Sequence, residues 1–386
     1  MKYILFVVDG AADMPLPALQ GRTPLEAARC PAMDVVASAG ALGLAVTIPE
    51  GFPAGTDGAF LTLFGYAGGP QWSRGSLEAA GLGVDTSGYA NVLRCNLVSI
   101  SGDGMLLSHN GFDIGDQPAA ELLDALLGDA ELGGCLRALG ARLLPGRGFR
   151  HLIAAEHRWP GFWPPHDHLG EPAPDAPDVW ANLLNRAAHV LRQRSSALGL
   201  ERPVTALWPW SGGPAPKLPR VEDRFGLSGD CVSAVPVVHG VARLAGLAVI
   251  DVPGATGRLD TDWRSKVAAA LTSPHPFTLL HLEAPDECAH EQDPQGKVRA
   301  IEMADAMLGE LLAGLAERQQ PHRVLLISDH FTSTGTGKHL PDPVPFVLYD
   351  STKGQSGNGR RFTEAHAAAA GLSVDGSALL GLLMQP

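Results

Sequence analysis

The chain has 386 residues, 45% of them hydrophobic, enough to bury a large core and long enough for two domains rather than one. Its formal net charge of -12 excludes an overall field that attracts nucleic acid or an anionic membrane, yet leaves room for a small anionic substrate where basic side chains and metal ions concentrate locally. Cys30, Cys95, Cys135, Cys231 and Cys288 are widely spaced with no C-x-x-C pair, which indicates buried, reduced thiols rather than a disulfide framework or a zinc knuckle.

The opening MKYILFVVDG carries an apolar run that stops at Asp9, too short for a membrane span and without a signal-peptide cleavage pattern. It reads as the first strand of a cytosolic protein. A helix over TPLEAARCPAMDVVASAG, a strand at LGLAVTI and the Gly/Pro-rich loop PEGFPAGTDG leading into AFLTLFGY follow. From about residue 89 to 228 the pattern changes. The strand-like pair NVLRCNLVSI and GMLLSHN, a helix through AAELLDALLG, the run RHLIAAE and the Trp- and Pro-rich RWPGFWPPHDHLGEPAPDAPDVW predict an inserted α+β cap domain, with Trp159, Trp163, Trp208 and Trp210 in its core. From about 229 the β/α alternation resumes with VARLAGLAVIDVPGATG, a helix from about Asp262 to Leu271, the strand FTLLHLEAPD and an amphipathic helix from about Lys297 to Leu315. VLLISDH and PVPFVLYD close the series. Strands separated by helices predict an α/β core of residues 1–88 and 229–386, in which a mainly parallel sheet is sandwiched by helices, with residues 89–228 inserted between its halves.

Potential metal ligands lie just after the apolar, strand-like runs. Asp9 ends YILFVV, Asp286 and His290 follow TLLHLE in EAPDECAH, and Asp329, His330 and His339 follow RVLLI in ISDHFTSTGTGKH. Sites in open α/β sheets assemble at the carboxyl ends of parallel strands, so these groups are expected to converge. Asp286 and His290, four apart, share a face if a helix starts there. Together the six supply enough oxygen and nitrogen for two divalent ions such as Mn²⁺, Zn²⁺ or Mg²⁺. A nucleophile is offered by Thr56 in GFPAGTDGAF, held before a predicted helix whose N–H groups and dipole favour phosphate.

With those residues in view, the chain resembles the alkaline phosphatase superfamily, and within it the cofactor-independent phosphoglycerate mutases of the archaeal type. The resemblance runs over nearly the whole length, through VVDGAAD, GRTPLEAARCPAMD, PEGFPAGTD, SRGSLEAAGLGV, RCNLVSI, FRHLIA, PPHD, LWPWSGG, PGATGRLDTD, HLEAPDECAHE, ISDH and KHLPDPVPFVLY in order. It implies an alkaline-phosphatase-like core, one metal held by Asp9, Thr56, Asp329 and His330, and a second held by Asp286, His290 and His339. The archaeal-type mutases usually carry Ser where this chain has Thr56, in a Ser-Asp-Val-Ala segment that here reads Thr-Asp-Gly-Ala. Thr is the nucleophile in related phosphopentomutases and nucleotide pyrophosphatases.

The activity that the resemblance implies is interconversion of 3-phosphoglycerate and 2-phosphoglycerate through a phosphothreonine, without bisphosphoglycerate, on two divalent ions with Mn²⁺ first. The inserted domain would then be the lid that keeps water from the phosphoenzyme. Substrate carboxylate and phosphate need basic partners, and the motif segments offer Arg74, Arg94, Arg150, His151, Arg258 and Lys338. The same machinery also suits transfer to another small alcohol, as in a homoserine kinase, or to water, as in a phosphatase.

Overall fold

The structure, a computed structural model, describes residues 1–69, 72–353 and 357–385. The chain divides into two compact units, Met1–Pro70 with Lys217–Pro386, and Gln71–Pro216. Both seams fall earlier than the expected 88/89 and 228/229. The helix Arg74–Gly81 therefore belongs to the second unit, because it packs on the long strand Asn91–Ile100.

The first unit is built on an eight-stranded sheet in the order Ser373–Asp375, Ala41–Val46, Val344–Asp350, His322–Ile327, Lys2–Val8, Phe277–Leu282, Gly229–Val232, Ala248–Val249. Lys2–Val8 lies between Phe277–Leu282 and His322–Ile327, parallel to both. Near-continuous apolar sequence suits that central position, since both faces of these strands are covered. Ile4, Phe6, Val8, Leu280 and Leu326 pack into the core beneath the helices Pro31–Ala39, Trp263–Thr272 and Pro294–Glu317. The helices Thr56–Leu63, Pro236–Leu244 and Gly376–Met384 form a second layer, with Gly376–Met384 against the central strands. One strand departs from the expected pattern: Val344–Asp350 runs antiparallel to both neighbours, because only a short excursion and not a crossover helix separates it from His322–Ile327.

The predicted helix over residues 23–40 is instead two, Pro24–Ala27 and Pro31–Ala39. Pro31 lacks the N–H that a continuous helix needs and disfavours a helical residue before it. Thr23 caps the first piece by accepting from the N–H of Glu26, whose side chain accepts in return from the N–H of Thr23.

The second unit holds a five-stranded antiparallel sheet, Leu106–Ser108, Asn91–Ile100, Arg150–Ala155 and Ala141–Leu144 in order, with Ala206–Gly213 also paired to Asn91–Ile100. Leu93, Cys95 and Leu97 face a core that includes Leu122 and Leu126 of the helix Asp116–Gly128 and Trp180 and Leu183 of the helix Asp178–Ala197. Val98, Leu106, Trp208 and Trp210 form a separate cluster, with Trp163 beside it, while Trp159 packs against the first. Neither the 20-residue helix Asp178–Ala197 nor the strand Ala206–Gly213 was among the predicted elements. All five cysteines are free.

Glu364 ties two segments of the first unit together, with its carboxylate accepting from the N–H of Asp13 at 3.0 Å and from the hydroxyl of Thr23 at 2.8 Å. Burial raises its carboxyl from the ordinary value to about 6. Between those values the folded chain holds a proton that the unfolded chain has lost, so stability from this group is full at low pH and declines as pH rises to about 6. The decline is about 1–2 kcal/mol. Urea unfolding across this range should therefore show Glu364→Gln gaining that much relative to the parent between about pH 4 and pH 7; a constant difference would assign the pH dependence to other groups.

Candidate metal centre

Every ligand-type residue selected from the sequence lies in the first unit, and the sheet explains why. Asp9 follows Lys2–Val8, Asp329 follows His322–Ile327, and Asp286 opens the first turn of the helix Ala284–His290 directly after Phe277–Leu282. These three strands are adjacent and parallel, so their carboxyl ends deliver the groups to one place. The helix Ala284–His290 projects Asp286 and His290 from one face, while Lys338–Leu340 folds back as a hairpin on Phe331–Ser333 and returns His339 to the cluster.

Two groups with metal-ligating potential result, Asp9–Asp329–His330 and Asp286–His330–His339, each with its donor atoms within 4.8 Å of one another. His330 Nε2 stands 3.3 Å from both Asp9 Oδ1 and Asp329 Oδ2. Thr56 Oγ1, on the first residue of the helix Thr56–Leu63, is 3.4 Å from the same nitrogen. His290 Nε2 lies 3.1 Å from Asp286 Oδ2 and 2.9 Å from His339 Nε2. All seven predicted residues are thus brought together. The split into two groups differs from the expected one, since His330 belongs to both and His290 joins the second through Asp286 and His339.

The donor set fits divalent cations on an observation of the molecule itself. Asp9 Oδ1 and Asp329 Oδ2 are fully buried carboxylate oxygens with no hydrogen-bond partner among the described residues. Leaving such atoms unpaired costs several kcal/mol unless a cation faces them. Burial, followed by repulsion from Asp329 and Asp286, holds the Asp9 carboxyl well above its usual range, which is the response of crowded carboxylates without a counter-charge. Burial acts the same way on Asp286, but hydrogen bonds from His290 and His339 outweigh it and keep its carboxyl well below the ordinary range. Burial depresses the His330 imidazole, favouring the neutral ring that a metal requires. At His290 burial is outweighed by the Asp286 carboxylate and the Gly337 carbonyl, so its imidazole is raised to about 9.

Residues absent from the sequence-based selection hold this cluster in place. His281, buried in the strand Phe277–Leu282, stands 2.9 Å from Asp9 Oδ2 through Nε2, and Ser233 Oγ stands 3.0 Å from its Nδ1. As a carboxylate Asp9 accepts, so Nε2 carries the single hydrogen of the neutral ring and Nδ1 accepts from the Ser233 hydroxyl, whose oxygen also accepts from the N–H of Val235. His281 lies within the run TLLHLE, where a histidine inside a strand reads as packed core. Gly10 donates its N–H to Asp329 Oδ1 at 2.9 Å. Lys297, buried within the helix Pro294–Glu317, donates to Ala12 O, Asp13 Oδ2 and Thr332 O at 3.3, 2.9 and 2.7 Å, which fastens the loop after the first strand to the segment after Asp329. Helical periodicity gives no hint that a lysine there points inward.

The expected substrate-binding residues fare less uniformly. In the second unit Arg94 donates to Glu78 at 2.8 Å, Arg74 pairs with the same carboxylate at 3.4 Å, and both guanidinium groups stand over the Trp210 ring, at 5.0 and 6.0 Å. Arg150 lies over Phe149 at 4.4 Å. His151 is 2% exposed, its Nδ1 accepts from the N–H of Gly146, and burial drives its imidazole down to about 4. In the first unit Arg258 is engaged by Glu291 at 2.5 Å and Glu287 at 3.8 Å, on and just beyond the metal-group helix. Lys338 is exposed, next to His339 in the hairpin.

Residues 1–379 match the model of the metalloenzyme superfamily. The 2,3-bisphosphoglycerate-independent phosphoglycerate mutase of Methanothrix thermoacetophila is 37% identical over 367 residues, covering 91% of each chain. The mutase of the same name from Methanosarcina acetivorans is 35% identical over 403 residues and covers both chains fully. Among solved structures, a Pyrococcus horikoshii protein superposes with a TM-score of 0.78 at 26% identity, over 100% of this chain and 97% of that one. The cofactor-independent phosphoglycerate mutase of Thermoplasma acidophilum superposes with a TM-score of 0.61 at 26% identity, over 100% and 99%.

Gly10 has a φ of +57°, and a Cβ there would lie 2.5 Å from Asp286 Oδ1 and 2.6 Å from Thr332 Oγ1. Gly10→Ala should destabilise the fold by about 1–2 kcal/mol through the left-handed backbone alone. It should also displace Asp286, so that Mn²⁺ titration shows weakened binding; unchanged metal affinity would show that the close approach is not needed.

Proposed function

The chain belongs to the metalloenzyme superfamily and, within it, to the family of the 2,3-bisphosphoglycerate-independent phosphoglycerate mutases, and from that premise we propose that it interconverts 3-phosphoglycerate and 2-phosphoglycerate through a phosphothreonine at Thr56. The observation that carries the proposal is the approach of Thr56 Oγ1 to His330, at the edge of a cluster in which Asp9 Oδ1 and Asp329 Oδ2 have no hydrogen-bond partner among the described residues.

In this reading Asp9, Asp329, His330 and Thr56 hold one divalent ion and Asp286, His290 and His339 the other, with Mn²⁺ the first expectation and Zn²⁺ or Mg²⁺ the alternatives. When bound, such ions supply positive charge for the transferring phosphoryl oxygens and make the Thr56 hydroxyl easier to deprotonate. Thr56 Oγ1 attacks phosphorus in line, the bond from phosphorus to the 3-oxygen of glycerate breaks, and the hydroxyl proton of Thr56 ends on that oxygen. In the second half the 2-hydroxyl of glycerate takes the phosphoryl group and its proton returns to Thr56. Thr56 is the first residue of its helix, so the amide N–H groups of the first turn and the helix dipole favour the anionic phosphothreonine. His290 donates Nδ1–H to the carbonyl of Gly337 at 2.8 Å, because a carbonyl can only accept, so Nε2 is the atom that would face an ion, after giving up the proton it shares with Asp286.

Arg74, Arg94, Arg150 and Lys338 are the proposed contacts for substrate phosphate and carboxylate, with Arg94 and Arg74 already arrayed over Trp210. No helix among the described residues is long and apolar enough to cross a membrane, and we place the enzyme in the cytosol. The methyl group that Thr56 carries beyond serine also keeps transfer to another small alcohol in play.

An enolase-coupled assay of Mn²⁺-loaded protein with 3-phosphoglycerate and no bisphosphoglycerate should show turnover. Chelation should abolish it, Mn²⁺ should restore it, and Thr56→Ala should lower it by more than about 10³-fold. Absence of turnover in metal-replete protein would reject the mutase reading and direct the search to other acceptors, homoserine first.

A further inference from the structure

Thr332 is tied to the segments that carry Asp9, Asp286 and His330. Its side chain is fully buried, and its hydroxyl lies 2.6 Å from Asp286 Oδ1 and 3.0 Å from His330 Nδ1. Its N–H donates to Ala12 O at 3.1 Å and its carbonyl accepts from Lys297. In the hairpin it is paired directly with His339. Gly10 leaves room for its hydroxyl, since a Cβ there would sit 2.6 Å away.

A hydroxyl has one proton, and the direction in which it points is decided by the partners. A carboxylate only accepts, so the Thr332 hydroxyl donates to Asp286 Oδ1 and presents a lone pair to His330. His330 Nδ1 must then carry the hydrogen, which leaves Nε2 without one. Nε2 is the atom that faces Asp9 Oδ1 and Asp329 Oδ2 at 3.3 Å. We propose that Thr332 is a positioning residue whose hydroxyl couples the two metal groups, fixing the orientation of the Asp286 carboxylate in one and the Nδ1–H tautomer of His330 in the other. The inference rests on the reading of these residues as metal ligands, and concerns binding rather than turnover. Outer-shell hydrogen bonds of this kind commonly contribute 10- to 100-fold in metal affinity.

The test uses the full chain, Mn²⁺ alone as probe, and Thr332→Val beside Thr332→Ser. Valine keeps the shape and removes the hydroxyl, whereas serine keeps the hydroxyl and removes the methyl group. Competition against a chromophoric chelator should show Thr332→Val losing about 10- to 100-fold in Mn²⁺ affinity and Thr332→Ser staying within about threefold of the parent. Long-range ¹H–¹⁵N spectra of the metal-free parent should show His330 protonated at Nδ1, with that preference lost in Thr332→Val. Unchanged affinity in Thr332→Val, or a Thr332→Ser variant as weak as Thr332→Val, would overturn the proposal and leave a packing role. Protonation of His330 at Nε2 in the metal-free parent would overturn it without any variant, even if Thr332→Val fails to fold. Should the parent lack mutase turnover while the affinity and tautomer shifts appear, the proposal stands and the catalytic reading falls.

Discussion

Three carboxylates, those of Asp9, Asp286 and Asp329, are buried together at the carboxyl ends of adjacent strands, and this crowding is the constraint from which much of the first unit follows. Like charges in a low-dielectric interior repel strongly, so the group exists only where donors and cations offset it. The chain supplies donors from the backbone at Gly10 and from side chains at His281 and Thr332. Among the described residues Asp9 Oδ1 and Asp329 Oδ2 have no hydrogen-bond partner, and they are the atoms that a metal ion would complete.

The scaffold around the cluster is polar as well, which is unusual for the centre of a sheet covered on both faces. The buried pair Lys297–Asp13, at 2.9 Å, is reinforced by Thr334, whose N–H and hydroxyl both donate to Asp13 Oδ2. An isolated buried pair adds little to stability, because desolvation offsets attraction, but removing one partner is costly. Its contribution here is placement: one ammonium group binds the loop after the first strand to the segment after Asp329, and so sets the distance between ligands that are over 300 positions apart in sequence. The glycine at position 10 belongs to the same arrangement, since any side chain there would collide with Asp286.

Within the second unit the chemistry is cationic and aromatic. Arg74 and Arg94 share Glu78 and stand over Trp210, whose indole N–H donates to Asn96 at 3.1 Å. Residues of the strand Asn91–Ile100 alternate, so Leu93, Cys95 and Leu97 enter the apolar core while Arg94 and Asn96 point away from it. A flat indole beneath two guanidinium groups holds them in order at little conformational cost.

The sequence by itself determined a mainly parallel sheet covered by helices, since apolar runs alternate with helical patterns, and it determined the ligand types, because Asp and His recur where those runs end. It also carried the likeness to the mutase family through segments spread over the whole chain. It did not show the antiparallel course of Val344–Asp350, the break at Pro31 that splits one predicted helix, or the helix Asp178–Ala197. Those depend on pairing partners and packing that local pattern does not encode. Nor did it disclose that His330 stands in both metal groups, or that His281, Lys297 and Thr332 support them. A histidine in a strand, a lysine in an amphipathic helix and a threonine in a short hairpin look ordinary in sequence. Their roles arise because long-range folding leaves each hydroxyl, amine and ring nitrogen one set of partners, and the number of protons then decides the direction of every hydrogen bond.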